Sequence, residues 1–261
     1  MASGNSFITS LAASGCHHFS TEEARAALGT SLPAVRAVLR RLKQAGRIAD
    51  PHRGFHLIVP PEYRRLGCLP PEQFVPQLMD HLGEYYYVAL LSAAEMHGAA
   101  HHRPQAFQVM LARNRRPILC GEVRVQFVAR LDLAHTATVE RNTPRGRVRV
   151  ASPEATALEL VGYAAQCGGL DNVASILADL GETLDASKLL QAVRDAPIAW
   201  AQRLGYLLDL TEHAKLAEAL ALPVREHASV VAPLVRNRPM TQAPRSERWR
   251  LAINASVEPD V

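Results

Sequence analysis

The chain is poor in cysteine: Cys16, Cys68, Cys120 and Cys167 are its four, far apart and without a C-x-x-C pair. With no signal-peptide pattern at the start, this usage sets the expectation of reduced thiols in a cytoplasmic protein. No apolar run is long enough to span a bilayer, so no membrane partner is expected. A Gly-rich phosphate loop and a Gly-x-Ser-x-Gly elbow are both missing, and no Asp…Glu-x-Lys pattern follows a predicted strand. Internal repeats and extended low-complexity segments are absent as well. Neither sign of charge dominates: 29 Lys and Arg stand against 25 Asp and Glu, a formal +4. An imbalance of that size does not imply a nucleic-acid partner; only the placement of the cations can. What is present, 48% hydrophobic and 21% charged residues, is the balance of a globular chain, and 261 residues allow two domains.

The most informative stretch is 20–60, STEEARAALGTSLPAVRAVLRRLKQAGRIADPHRGFHLIVP. Ser20 and Glu23 have capping-box spacing, Ala24, Ala27 and Leu28 give a small apolar stripe, and Gly29 suits a left-handed helix end. Ser31 suits the N-cap of a second helix, with Pro33 tolerated in its first turn. On that helix Leu32, Val35, Val38, Leu39 and Leu42 share one face at about 100° per residue. Arg36, Arg40 and Lys43 recur at i, i+4 and i+7 as a separate cationic ridge. Gly46 ends the helix. Residues 47–49 and 55–59 read as two short strands around the turn Asp50-Pro51-His52-Arg53-Gly54. Together these elements predict a winged helix-turn-helix, with 31–45 as recognition helix for double-stranded DNA. The candidate DNA-binding residues are Ser31, Arg36, Arg40, Lys43, Arg47 and Arg53, with His52 at the wing tip. The competing reading of the cations is an ordinary solvated helix face.

The rest of the chain reads as a larger second domain. Residues 6–14 supply the first helix of the winged domain, and Cys16-His17-His18 a polar connection. The stretch 60–76, PPEYRRLGCLPPEQFVP, reads as a stiff proline-rich connector and not a core element. The expected division is therefore 1–60 winged helix-turn-helix, 61–76 linker and 77–261 α+β domain. Within the last, a short helix precedes a longer one over 86–96, with Val88, Leu91 and Met96 buried. His101-His102-Arg103-Pro104 then forms a turn. Strands are expected at 107–111, 123–128, 136–140 and 148–150, with a turn at Asn114-Arg115-Arg116-Pro117. Helices follow at 155–165, 170–180, 186–193 and 200–210, and a closing strand within 248–254. Strands grouped before helices give an α+β class.

Two other classes compete with this reading. A metal-dependent nuclease would have to draw on Glu84, Glu95, His97, His101, His102, Asp132 and His135, which form no recognisable motif; no catalytic residue, metal or cofactor is expected. His97, beside Gly98, is accounted for by capping or a core hydrogen bond. A ligand-responsive one-component regulator needs an apolar pocket with convergent polar groups, and Tyr85, Tyr86 and Tyr87 could line one.

The stretch 85–98, YYYVALLSAAEMHG, resembles the helix Y-Y-V-x-L-x-S-A-A-x-x-H-G that opens the C-terminal domain of the AbiEi antitoxins, from the AbiE abortive-infection (type IV) toxin–antitoxin systems. Val150-Ala151-Ser152-Pro153-Glu154 before a helical run, Trp249 to Asn254 near the end, and Pro259-Asp260 match as well, as does the N-terminal winged helix. The resemblance implies a bacterial antitoxin of a phage-defence system with two roles. Its winged domain would repress the operon at inverted repeats in the promoter. Its C-terminal domain would counter a co-encoded nucleotidyltransferase-like toxin, with direct contact between the two left open.

Overall fold

The computed structural model describes residues 3–99 and 104–259, and the chain divides into two compact units. The first comprises Met1–Tyr87, Gln105–Leu131 and Glu140–Arg149; the second comprises Val88–Pro104, Asp132–Val139 and Val150–Val261. The expected turn residues His101, His102 and Arg103, and Asp260 of the closing motif, lie outside the described residues.

The first unit begins with α1 (Gly4–Ala13), β1 (His18–Ser20), α2 (Thr21–Leu28), α3 (Leu32–Gln44), β2 (Ile48–His52) and β3 (Phe55–Ile58). The Glu23 N–H donates to Ser20 Oγ at 3.1 Å and the Ser20 N–H to Glu23 Oε2 at 2.6 Å, a complete capping box. Gly29 closes α2 in the left-handed conformation. One face of each helix meets the others: Ile8, Ala24, Leu28, Val35, Leu39 and Leu42 form a single core with Phe19, Ile48 and Ile58 from the strands. Ala27 departs from the expected stripe and is exposed. Strand β1 falls where a connection was expected, pairing antiparallel with β3 so that His18 faces Leu57. The sheet order is β1-β3-β2.

The hairpin is tighter than the five-residue turn expected at 50–54. His52 pairs with Phe55, so only Arg53 and Gly54 turn, with Gly54 at φ 81°. A register shift between Ala49 and His52 absorbs Asp50 and Pro51, where proline has no N–H to give the ladder.

The stretch 60–76 is also more than a connector. Its prolines set two 3-10 turns, Pro61–Tyr63 and Pro71–Gln73, but Cys68, Leu69 and Phe74 are fully buried. Proline stiffens the backbone without deciding where neighbouring apolar side chains go. Cys68 and Cys120, remote in sequence, are buried side by side, the one thiol hydrogen-bonded to the other.

Next come α4 (Val75–Leu82), β4 (Tyr86–Val88) and α5 (Leu90–Met96). The helix expected over 86–96 is thus a strand followed by a short helix. Val88 is buried, but α5 buries Leu90, Ala93 and Ala94, while Leu91 and Met96 are half-buried. A short apolar run suits either structure, and the extended YYV segment joins a sheet. That sheet has the order β6-β7-β5-β4-β9-β8, from β5 (Phe107–Leu111), β6 (Ile118–Cys120), β7 (Val123–Ala129), β8 (Thr138–Thr143) and β9 (Gly146–Ala151). It is mixed: β5 runs parallel to β7 with Phe107 opposite Val125, and β6 antiparallel to β7.

The second unit is mainly helical, with α6 (Pro153–Gly162), α7 (Leu170–Leu180), α8 (Ala186–Arg194), α9 (Ile198–Leu210) and α10 (Ala214–His227). Helix α10, absent from the sequence reading, continues through Pro223. Strands β10 (Ala232–Pro233), β11 (Arg245–Ser246) and β12 (Leu251–Ala252) form a small sheet in the order β10-β12-β11. Helix α9 holds this tail: the Gln202 amide donates to the carbonyls of Trp249 at 3.1 Å and Arg250 at 2.7 Å. Gly205 leaves room for the buried Trp249 ring, which a Cβ there would meet at 2.2 Å. The Trp249 indole N–H donates to Asp209 at 2.7 Å. The chain is α+β, with ten α-helices and mixed sheets among the described residues.

Candidate nucleic-acid interface

The apolar face of α3 is spent on the core through Val35, Leu39 and Leu42, which turns Arg36 and Arg40 outward. Both are exposed, and the guanidinium of neither hydrogen-bonds or ion-pairs with any described residue; the same is true of the Arg53 guanidinium at the tip of the β2–β3 turn. Ser31 occupies the N-cap position of α3 but makes no side-chain cap bond. The first-turn N–H groups of Leu32 and Ala34 therefore lack the capping oxygen that Ser20 supplies to α2.

The remaining candidates are engaged. Lys43 Nζ lies 2.9 Å from Asp50 Oδ2, although the lysine side chain is 57% exposed. Asp50 also accepts from His56 Nδ1 at 2.7 Å, and His56 Nε2 contacts Thr21 Oγ1 at 2.9 Å. Burial pushes the Asp50 carboxyl up, but the bonds from His56 and Lys43 outweigh it and hold the group below its ordinary value. Arg47 donates through Nη1 to Asn5 on α1 at 2.9 Å. The His52 ring contacts the Arg53 carbonyl through Nδ1 at 3.0 Å. Of the seven residues singled out, the fold leaves the three arginines Arg36, Arg40 and Arg53 with unengaged guanidinium groups.

Sequence reasoning missed the Thr21–His56–Asp50–Lys43 chain, because its members come from four elements and carry no common spacing. At the turn expected over 114–117, the basic side chains of Arg113 and Arg115 do not stand free for phosphates. Both instead ion-pair with the buried carboxylate of Glu84, at 3.0 and 3.1 Å. Arg116 on the same turn is exposed and makes no such contact.

Among the described residues the candidate catalytic set does not converge. Glu84 is consumed by its arginines, Asp132 and His135 form an exposed pair at 2.8 Å, and His97 Nε2 bonds the Ala151 carbonyl at 2.8 Å. Among the described residues no group of three His, Cys, Asp or Glu side chains could hold a metal ion. No helix there is long and apolar enough to cross a membrane.

Fold and surface define an α+β protein in which a helix-and-hairpin module carries an arginine-bearing helix. Residues 87–210 match the model of the AbiEi antitoxin C-terminal domain, which supports the resemblance to the AbiEi antitoxin family. That match supports an antitoxin role in a toxin–antitoxin system. The crystal structure of the RV2827C protein from Mycobacterium tuberculosis is similar over 94% of this chain and 89% of that one, with TM-score 0.67 and 18% identity. That likeness speaks for the fold alone. A nucleotidyltransferase-like antigenic protein from Paracoccidioides brasiliensis covers 57% of this chain and 89% of its own, at 13% identity and TM-score 0.36, too remote to support an argument. A search of curated proteins returns no match.

Proposed function

We propose that the chain is a DNA-binding antitoxin that represses its own operon and counters a co-encoded nucleotidyltransferase-like toxin. In this reading α1 to β3 act as a winged helix-turn-helix and α3 is the recognition helix. The observation that carries it is the pairing of a buried apolar face on α3 with Arg36 and Arg40, exposed and unengaged on the other side. Such a helix fits a major groove, where a guanidinium fork can reach guanine O6 and N7 in bidentate fashion. Arg53 on the wing then meets the backbone, and the uncapped start of α3 offers N–H groups to a phosphate. Lys43 and Arg47 play a lesser part, since each must leave Asp50 or Asn5 to touch DNA.

The test uses the full chain. Fluorescence anisotropy with duplex from its own promoter is expected to show salt-dependent binding that prefers inverted repeats. In R36A/R40A that preference is lost, while protection of cells co-expressing the neighbouring toxin is retained. Promoter binding identical in the parent and the double variant would remove α3 from the interface. Loss of protection together with repression would show that the antitoxin role runs through DNA.

A further inference from the structure

The second unit contains a cavity of about 740 Å³ that the operator-binding reading does not use. Its wall is made by the end of α6, the start of α7, one residue of α9, the segment after β10 and the tail at Ala255 and Ser256. The α9 residue is Arg203, only 4% exposed. Its Nε–H is shared between the carbonyls of Pro233 at 3.0 Å and Leu234 at 3.1 Å. The two Nη groups make no hydrogen bond or ion pair with any described residue and no carboxylate offsets the charge. Instead Arg236, a second cation, lies near enough to act with burial in pulling the Arg203 pKa down.

A largely buried guanidinium is costly unless paired, and four of its five N–H donors, those on the two Nη groups facing the cavity, are left over here. The remaining charged groups of the lining are Arg236, Arg238 and Asp171, so three cations face one carboxylate. That carboxylate, on the first turn of α7, already accepts from the Glu258 N–H at 3.0 Å. The eleven-residue helix α7 opens into the same cavity from Gly169, with no side chain capping it, and so adds first-turn N–H groups and the positive end of its dipole. Leu170, Leu234 and Val235 supply apolar wall.

We propose that this cavity binds a small phosphorylated molecule, its phosphoryl group held between Arg203 and the α7 N-terminus, with Arg236 and Arg238 at the rim. Bidentate contact with a guanidinium fork and a helix N-terminus is the chemistry that recognises a terminal phosphate. The burial of Arg203 favours a group that enters the cavity over the backbone of a duplex passing its mouth. The site would make the antitoxin responsive to a metabolite, independently of how α3 meets DNA.

Isothermal titration of the full chain with sodium pyrophosphate, and separately with AMP, at low ionic strength tests this. Saturable binding at one site per chain is expected for at least one of the two probes. Binding should weaken at least tenfold in R236A/R238A, whose exposed side chains carry no part of the core. It should weaken to a similar degree in R203K, which keeps the charge but not the planar fork, with thermal melting by circular dichroism showing that each variant remains folded. Absence of saturable binding with either probe would overturn the proposal, as would unchanged affinity in both variants. So would binding that is lost in R36A/R40A and kept in R236A/R238A, because the phosphate would then lie on the α3 surface.

Discussion

Arg36 and Arg40 on α3 share one property with Arg203 in α9: no carboxylate among the described residues pairs with them. They differ in solvent. The α3 arginines stand in water, where an unpaired guanidinium costs little, so their lack of a partner is only permissive. Arg203 is 4% exposed and is held by two backbone carbonyls, so its missing counter-ion carries a desolvation cost that folding alone does not return. An unpaired cation on a surface suits an extended polyanion; one inside a cavity suits a small anion that can follow it there.

Stability is the first way to break this comparison. Arg203→Ala is expected to destabilise the protein by about 3 kcal/mol, because it unpairs two carbonyls and empties packed volume. Arg36→Ala and Arg40→Ala should each stay within about 0.5 kcal/mol of the parent. Urea denaturation of the three variants checks this, and equal midpoints would show that Arg203 is not structurally committed.

DNA affinity should reverse the ranking. Arg36→Ala and Arg40→Ala are each expected to cost about 1–3 kcal/mol in binding to the promoter duplex if they read base edges. Arg236→Ala should leave that affinity untouched. A loss in Arg236→Ala equal to that in Arg36→Ala would mean that the cavity rim also meets DNA.

Lys43 sharpens the contrast within α3 itself. Being tied to Asp50, it should contribute less than its neighbours, and Lys43→Ala is expected to lower affinity for all sequences by under about 1 kcal/mol while reducing the salt slope by about one. Asp50→Asn frees the lysine and should raise non-specific affinity; unchanged affinity in that variant would mean the ion pair does not restrain Lys43.

The smallest effect is a pH dependence. The Asp50 carboxyl is held below its ordinary value in the fold. It therefore contributes stability that is fully present above the ordinary carboxylate range and is lost as pH falls through the depressed value. Thermal melts of the parent should thus lose more stability on acidification than those of Asp50→Asn. Parallel curves would show that the Lys43–Asp50–His56 arrangement has no weight in the folded state.

The sequence by itself determined what depends on neighbours along the chain. The capping box of Ser20 and Glu23, the apolar stripe of α3, β5 over Phe107–Leu111 and α7 over Leu170–Leu180 all rest on spacing within one or two turns or on local alternation. It also placed Arg36 and Arg40 on the outward face, since helical periodicity alone sets them apart from Val35 and Leu39. Elements too short or too ambiguous for that logic were misread: β1 has three residues, β6 has three, and YYVALL suits strand and helix alike. Helix α10 was hidden by Pro223. Only tertiary structure decided which cations keep their guanidinium groups unengaged. Lys43 of α3 meets Asp50 of β2, Arg47 meets Asn5 of α1, and Arg113 and Arg115 meet Glu84, because charge pairing is fixed by distance in space and leaves no period in sequence. The same holds for Arg203. Within IAWAQRLGYLL it reads as one polar residue on an amphipathic helix, and only the folding of β10 and the tail around it builds the cavity wall that removes most of it from solvent.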